Sequence, residues 1–88
     1  MYWEYLIIAF KSRAHTIKFY NLLSATGIAS QIVNTPKQAG VGCGLSVKVK
    51  KDNLALVKRA LFNANLSSFA GGFAVREVGQ AIIIKPVF

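Results

Sequence analysis

Leu45-Ser46-Val47-Lys48-Val49-Lys50 alternates apolar and polar residues without a break. Successive side chains of a strand point to opposite faces, so this run carries one apolar and one basic face. It is the clearest strand in the sequence, and the neighbouring segments read outward from it. Just before it, Lys37–Gly44 (KQAGVGCG) holds glycines at 40, 42 and 44 and reads as a loose loop. Ile28–Val33 is short and β-prone and ends at Asn34-Thr35-Pro36, where proline cannot donate to a ladder. After Lys50-Lys51, Asp52 is placed to cap a helix running to about Asn65, with Leu54, Val57 and Leu61 inward and Lys58-Arg59 outward.

The flanks follow the same grammar. Tyr2–Phe10 (YWEYLIIAF) is aromatic, β-branched and nearly all apolar, which predicts a central strand. Ser12 reads as the N-cap of a helix to about Ala25, with Ala14, Ile17 and Leu22 inward and Phe19 and Leu23 widening the stripe. Gly27 supplies its stop. Leu66–Gly72 reads as a connector, and Phe73–Val78 and Ala81–Val87 as a hairpin or one bent strand around Gly79-Gln80. The order is β-α-β-β-α-β with a possible extra C-terminal strand, which predicts an α+β, ferredoxin-like two-layer sandwich. In the first strand Trp3, Tyr5, Ile7 and Ala9 share one face, and Leu6, Ile8 and Phe10 the other. Two helices cover one face only. The other is expected to be an assembly surface for a homo-oligomer, unless the Lys85–Phe88 tail covers it.

The 88 residues make one domain, 1–88, with a single modest core. Hydrophobic residues are 53% of the chain, which excludes disorder. The one cysteine, Cys43, excludes an internal disulfide and suits a reducing compartment. The apolar runs Leu6–Phe10 and Ala81–Ile84 fall far short of the roughly 20 residues of a spanning helix. No basic segment precedes the first of them, so a secretory signal is not expected and the cytoplasm is the default location.

Few residues are equipped for chemistry. Glu4, Asp52 and Glu77 lie in separate elements, and His15 has no acid beside it in sequence, so a surface histidine is the simpler reading. One Cys and one His cannot supply a zinc site, and the glycines at 40, 42 and 44 fit no phosphate-loop pattern, so neither metal nor cofactor is expected. Cys43 remains. Gly42 and Gly44 on either side free the backbone to bring N–H groups near the sulfur, a nest that suits an anion. Lys37 and Lys48, with Lys50 and Lys51, lie close in sequence. A reachable thiolate there can attack, or hold a sulfur atom as a persulfide. The opposing reading is packing: Cys43 is in phase with Leu45, Val47 and Val49, so a strand that included it would turn the thiol into the core.

The opening YLIIAF, the helix start at Ser12, Leu22-Leu23 before Gly27-Ile28, Thr35-Pro36 and the step Cys43-Gly44-Leu45 carry a resemblance. On these residues the first fifty positions resemble a small bacterial family of selenium/sulfur carrier-like proteins, whose single cysteine in the Cys-Gly step is the functional residue. The resemblance implies that Cys43 is the carrier site and that sulfur or selenium donor and acceptor proteins are its partners. Family members often have serines just before the cysteine; Gly40-Val41-Gly42 stands there instead, so no hydroxyl is expected next to the sulfur. A carrier or binding protein is expected rather than a turnover enzyme.

A second reading is a basic binding module for nucleic acid or another polyanion. The net charge of +8 attracts phosphate, and Tyr2, Trp3, Tyr5 and Phe10 are candidates for stacking. The specific RNA-recognition signature is missing. A third is a small assembly subunit in which Cys43 only packs. Between Lys37 and Arg59, six basic residues stand against Asp52 alone, so the charge concentrates around the cysteine and suits an acidic partner.

Overall fold

A computed structural model describes residues 3–88. The elements are β1 (Tyr5–Phe10), α1 (Arg13–Ala25), β2 (Ser30–Asn34), β3 (Leu45–Lys50), α2 (Leu54–Ala64), β4 (Phe69–Val78) and β5 (Ala81–Pro86), with 3-10 turns at Lys37–Ala39 and Lys51–Asn53. Among the described residues the protein is α+β, with two α-helices and a five-stranded sheet in the order β2-β3-β1-β4-β5. Every adjacent pair of strands is antiparallel. β1 lies at the centre, as its apolarity predicts. It begins at Tyr5, however; Trp3 and Glu4 precede the strand, and Tyr2 lies outside the described residues.

β3 spans the alternating run that the sequence marks as a strand. Its Val47 and Val49 pair with Ile8 and Leu6 and point to the helices, while Lys48 and Lys50 occupy the other face. The core lies under the helices and comprises Leu6, Ile8, Phe10, Phe19, Leu23, Val47, Val49, Val57 and Ala74. The stripe of α1 is Thr16, Phe19 and Leu23, all buried, whereas Ala14 and Ile17 are exposed. The expected stripe is therefore corrected in part: Phe19 and Leu23 hold their inward places, and Thr16 replaces Ala14 and Ile17. The helix must set its Phe19 ring against Phe10, 5.4 Å between centroids, and that contact fixes its rotation over the sheet.

Ser12 caps α1 as expected, its side chain accepting from the His15 N–H. Asp52 does not cap α2. It lies in the preceding 3-10 turn, and the helix starts after Asn53 with no side-chain cap. The expected Leu66–Gly72 connector is largely strand: β4 starts at Phe69 and takes in a bulge, since Phe10 pairs with Phe69 but Ala9 with Gly71. Ala81 pairs with Val78, so the last two runs are a hairpin of two strands.

The face opposite the helices is not an open apolar surface. Ile7, Ala9, Phe73 and Val75 on it are buried within the chain. The β2–β3 connection supplies part of the cover: Gly42 sits over Ala9, and the Lys37–Ala39 turn packs against β5. The expected assembly surface is thus largely consumed internally. The tail does not provide this cover. Phe88 folds to the helix side, stacked on Phe69 with centroids 6.2 Å apart and with Lys58 Nζ 5.5 Å from its ring. It rests on Gly72, whose N–H donates to Phe88 O at 2.7 Å and whose carbonyl accepts from Val87 N–H at 2.8 Å. A Cβ at Gly72 would stand 2.7 Å from the Phe88 ring, so this backbone position admits no side chain while the ring is in place.

Candidate functional site

Cys43 is exposed, two residues before β3 begins. The strand does not extend back to it, so the alternation of Leu45, Val47 and Val49 does not turn the thiol inward. Gly42 and Gly44 flank it with φ of 93° and 97°, a backbone region that favours glycine. The turn is anchored to β1: the Cys43 N–H donates to Phe10 O at 3.0 Å, and a Cβ at Gly42 would lie 3.3 Å from the same oxygen. Across the turn, Thr35 N–H donates to Gly44 O at 2.9 Å. The two glycines let the chain leave β2, press against the end of β1 and re-enter the sheet as β3, with the thiol at the outer bend.

This geometry corrects the expected nest in one respect. The Cys43 N–H is spent on Phe10 and is not directed at the sulfur. What approaches Sγ is a hydroxyl that sequence reasoning missed. Thr16 Oγ1, from the first half of α1, stands 3.8 Å from Cys43 Sγ, and the thiol donates to Leu45 O at 3.7 Å. Thr16 is fully buried and also reaches Ser12 O at 3.2 Å and Leu45 O at 3.4 Å. With a neutral thiol, S–H and Thr16 O–H can both point to carbonyls. With an anionic sulfur, the single Thr16 proton can turn to it, since Oγ1 lies within sulfur hydrogen-bond range. The hydroxyl said to be absent from the cysteine loop is present, delivered by a helix. The available signal was the spacing of Thr16 from Phe19 and Leu23, three and seven residues on, which puts it on the same helix face.

The first turn of α1 is itself tied down from β4's side. Lys11 N–H donates to Ser68 O at 2.7 Å, Ser12 N–H to Ser68 Oγ at 3.3 Å, and His15 Nδ1 lies 2.6 Å from the same Oγ. His15 is therefore half-buried and hydrogen-bonded, not a free surface histidine. It braces the turn that carries Thr16.

The expected basic surround is only partly assembled. Lys37 is exposed in the 3-10 turn of the same connection. Lys48, expected beside the cysteine, is not: it lies on the opposite sheet face, five residues along β3's direction, with its ammonium 4.2 Å from the Tyr5 ring centroid. Lys50 lies further along the same strand. Among the candidates for base stacking, Phe10 is wholly buried, Trp3 packs against the core and Tyr5 is covered by Lys48, while Tyr2 lies outside the described residues. Glu4, just before β1, and Glu77, in β4, meet at Tyr5. Its O–H donates to Glu77 Oε2 at 3.2 Å, and Glu77 N–H donates to Glu4 Oε1 at 2.8 Å. Burial and then these two carboxylates push the Tyr5 hydroxyl up to about 12.

Among the described residues no three metal-ligating side chains converge, and no helix is long and apolar enough to cross a membrane. No curated protein and no solved structure matches the chain. A family described as "Putative Se/S carrier protein-like" does match, over residues 5–68, from the first residue of β1 to the residue before β4. That span holds both helices, Cys43 with its glycines, Thr16 and Ser68, and it covers more than half of the sequence. The chain therefore belongs to the Se/S carrier protein-like family.

Proposed function

We propose that the protein carries sulfur or selenium on Cys43 as a non-enzymatic relay. The observation that supports this most is the pairing of an exposed lone thiol with a buried hydroxyl, Thr16, fixed beneath it. The Cys43 thiolate attacks the outer sulfur of a donor persulfide, the donor S–S bond breaks, and the donor cysteine leaves as a thiolate. Cys43 then bears S–SH, with no net oxidation. An acceptor nucleophile takes the terminal sulfur and restores the Cys43 thiolate. Having no second cysteine, the chain cannot discharge its own persulfide into an internal disulfide, which suits a carrier. A net charge of +8 favours acidic donor and acceptor proteins in a reducing, cytoplasmic setting.

The architecture is read in the same way as a ferredoxin-like sandwich with one strand added. β4-β1-β3-β2 form its four antiparallel strands, and β5 extends the β4 edge.

The experiment is intact mass after incubation with a cysteine desulfurase and cysteine. Wild type should gain one sulfur that a reductant removes, and Cys43→Ala should gain none. No gain on wild type, or the same gain on Cys43→Ala, overturns the proposal.

A further inference from the structure

The sheet face opposite the helices is covered by the β2–β3 connection near the Phe10 end of β1. At the Tyr5 end the same face holds a cleft of about 440 Å³, remote from Cys43 and lined by Glu4, Tyr5, Ser30, Lys48, Lys50 and Glu77 among others. That volume falls within the roughly 300–1,000 Å³ of small-molecule sites. We propose that this cleft binds the paired ammonium and carboxylate of a zwitterion, either a free amino acid or a short peptide.

Charge carries the inference. The sequence has only three acids, and two of them converge here. Both carboxylates are held in place, Glu77 by the Tyr5 O–H at 3.2 Å and Glu4 by the Glu77 N–H at 2.8 Å. The Lys48 ammonium is held over the Tyr5 ring, 4.2 Å from its centroid. Tyr5 thus touches both kinds of charge, Glu77 through its hydroxyl and Lys48 through its ring. Two Glu and two Lys sum to zero, in a protein whose surface is otherwise strongly basic. A simple anion would meet the glutamates and a simple amine the lysines, so each meets like charge in the lining. A molecule bearing both charges is attracted by both. Two carboxylates fall short of the donor set of a metal ion.

The test is an amide chemical-shift titration of the full chain with L-leucine and with glycyl-leucine, neither of which reacts with a thiol. N-acetyl-leucine, lacking the ammonium, and leucine amide, lacking the carboxylate, are the controls. At least one zwitterion should shift the amides of Tyr5, Gln31, Lys48 and Glu77 saturably, and both single-charge analogues should bind at least tenfold more weakly. Tighter binding of L-leucine identifies an amino-acid site, and tighter binding of glycyl-leucine a peptide site. Glu77→Gln should weaken the zwitterion at least tenfold while leaving the alkylation rate of Cys43 unchanged. Absence of saturable shifts with both zwitterions, or equal binding of either analogue, overturns the proposal on wild type alone, whatever Glu77→Gln does to folding. The outcome is independent of sulfur transfer at Cys43.

Discussion

The Thr16 hydroxyl stands 3.8 Å from the Cys43 sulfur although 27 residues separate the two in sequence. Thr16 is fully buried at this position, and Cys43 is an exposed residue. The contact joins a rigid, solvent-excluded donor to a reachable nucleophile.

Removing that donor is the direct test of its role. Thr16→Val keeps the branched shape but cannot donate, whereas Thr16→Ser keeps the hydroxyl. One hydrogen bond contributes about 1 kcal/mol, so Thr16→Val should slow iodoacetamide alkylation of Cys43 near neutral pH about fivefold. Thr16→Ser should stay near wild type. Equal rates for wild type and Thr16→Val would show that the hydroxyl does not act on the sulfur.

Exposure of the thiol makes a separate prediction. In native buffer, Cys43 should be alkylated to completion without denaturant, and denaturation should add no further label. The reading is made by intact mass. Labelling that waits for denaturant would remove the chemistry on which sulfur transfer depends.

Tyr5 gives a pH dependence. Its hydroxyl titrates near 10 in an unfolded chain and is pushed up to about 12 in the folded protein. The folded state therefore holds the proton more tightly. The stabilisation is complete below about pH 10 and is lost as pH rises through the folded value, because the unfolded chain releases its proton first. Urea unfolding should show stability falling between about pH 10 and 12, with a shallower fall in Tyr5→Phe. Phenolate absorbance should show one tyrosine titrating late, and that signal should vanish in the variant.

Gly72 and Phe88 form a steric pair that closes the core beside α2. Gly72→Ala would place a Cβ 2.7 Å from the Phe88 ring, and overpacking of this kind costs about 1–3 kcal/mol. In a Phe88→Ala background the same substitution should cost much less, because the clashing ring is gone. A double-mutant cycle in urea measures the coupling; additive costs would show that the ring does not occupy this position.

Much of the local structure was legible from residue pattern alone. The LSVKVK alternation places β3 to the residue, the Ser12 hydroxyl starts α1, and Gly79-Gln80 turns the final hairpin. Capping and two-residue periodicity act within a few residues, so they can be read without the rest of the chain. Asp52 shows where such reading fails: it is a good capping residue, but a 3-10 turn intervenes before the helix. The rotation of α1 was only partly legible: Phe19 and Leu23 are inward as expected, but Thr16 joins them in place of Ala14 and Ile17 once Phe19 meets Phe10.

By itself, then, the sequence determined the alternation of elements, a single thiol bracketed by glycines, and a family membership carried by residues 5–68. Tertiary structure decided what surrounds that thiol. Lys48 is near Cys43 in sequence, yet a strand carries its side chain to the far face and along the sheet. Thr16 is distant in sequence, and helix packing brings it beneath the sulfur. Glu4 and Glu77 meet across Tyr5 only because β1 and β4 are neighbours. Proximity in a sheet depends on strand order and register, which no single segment specifies.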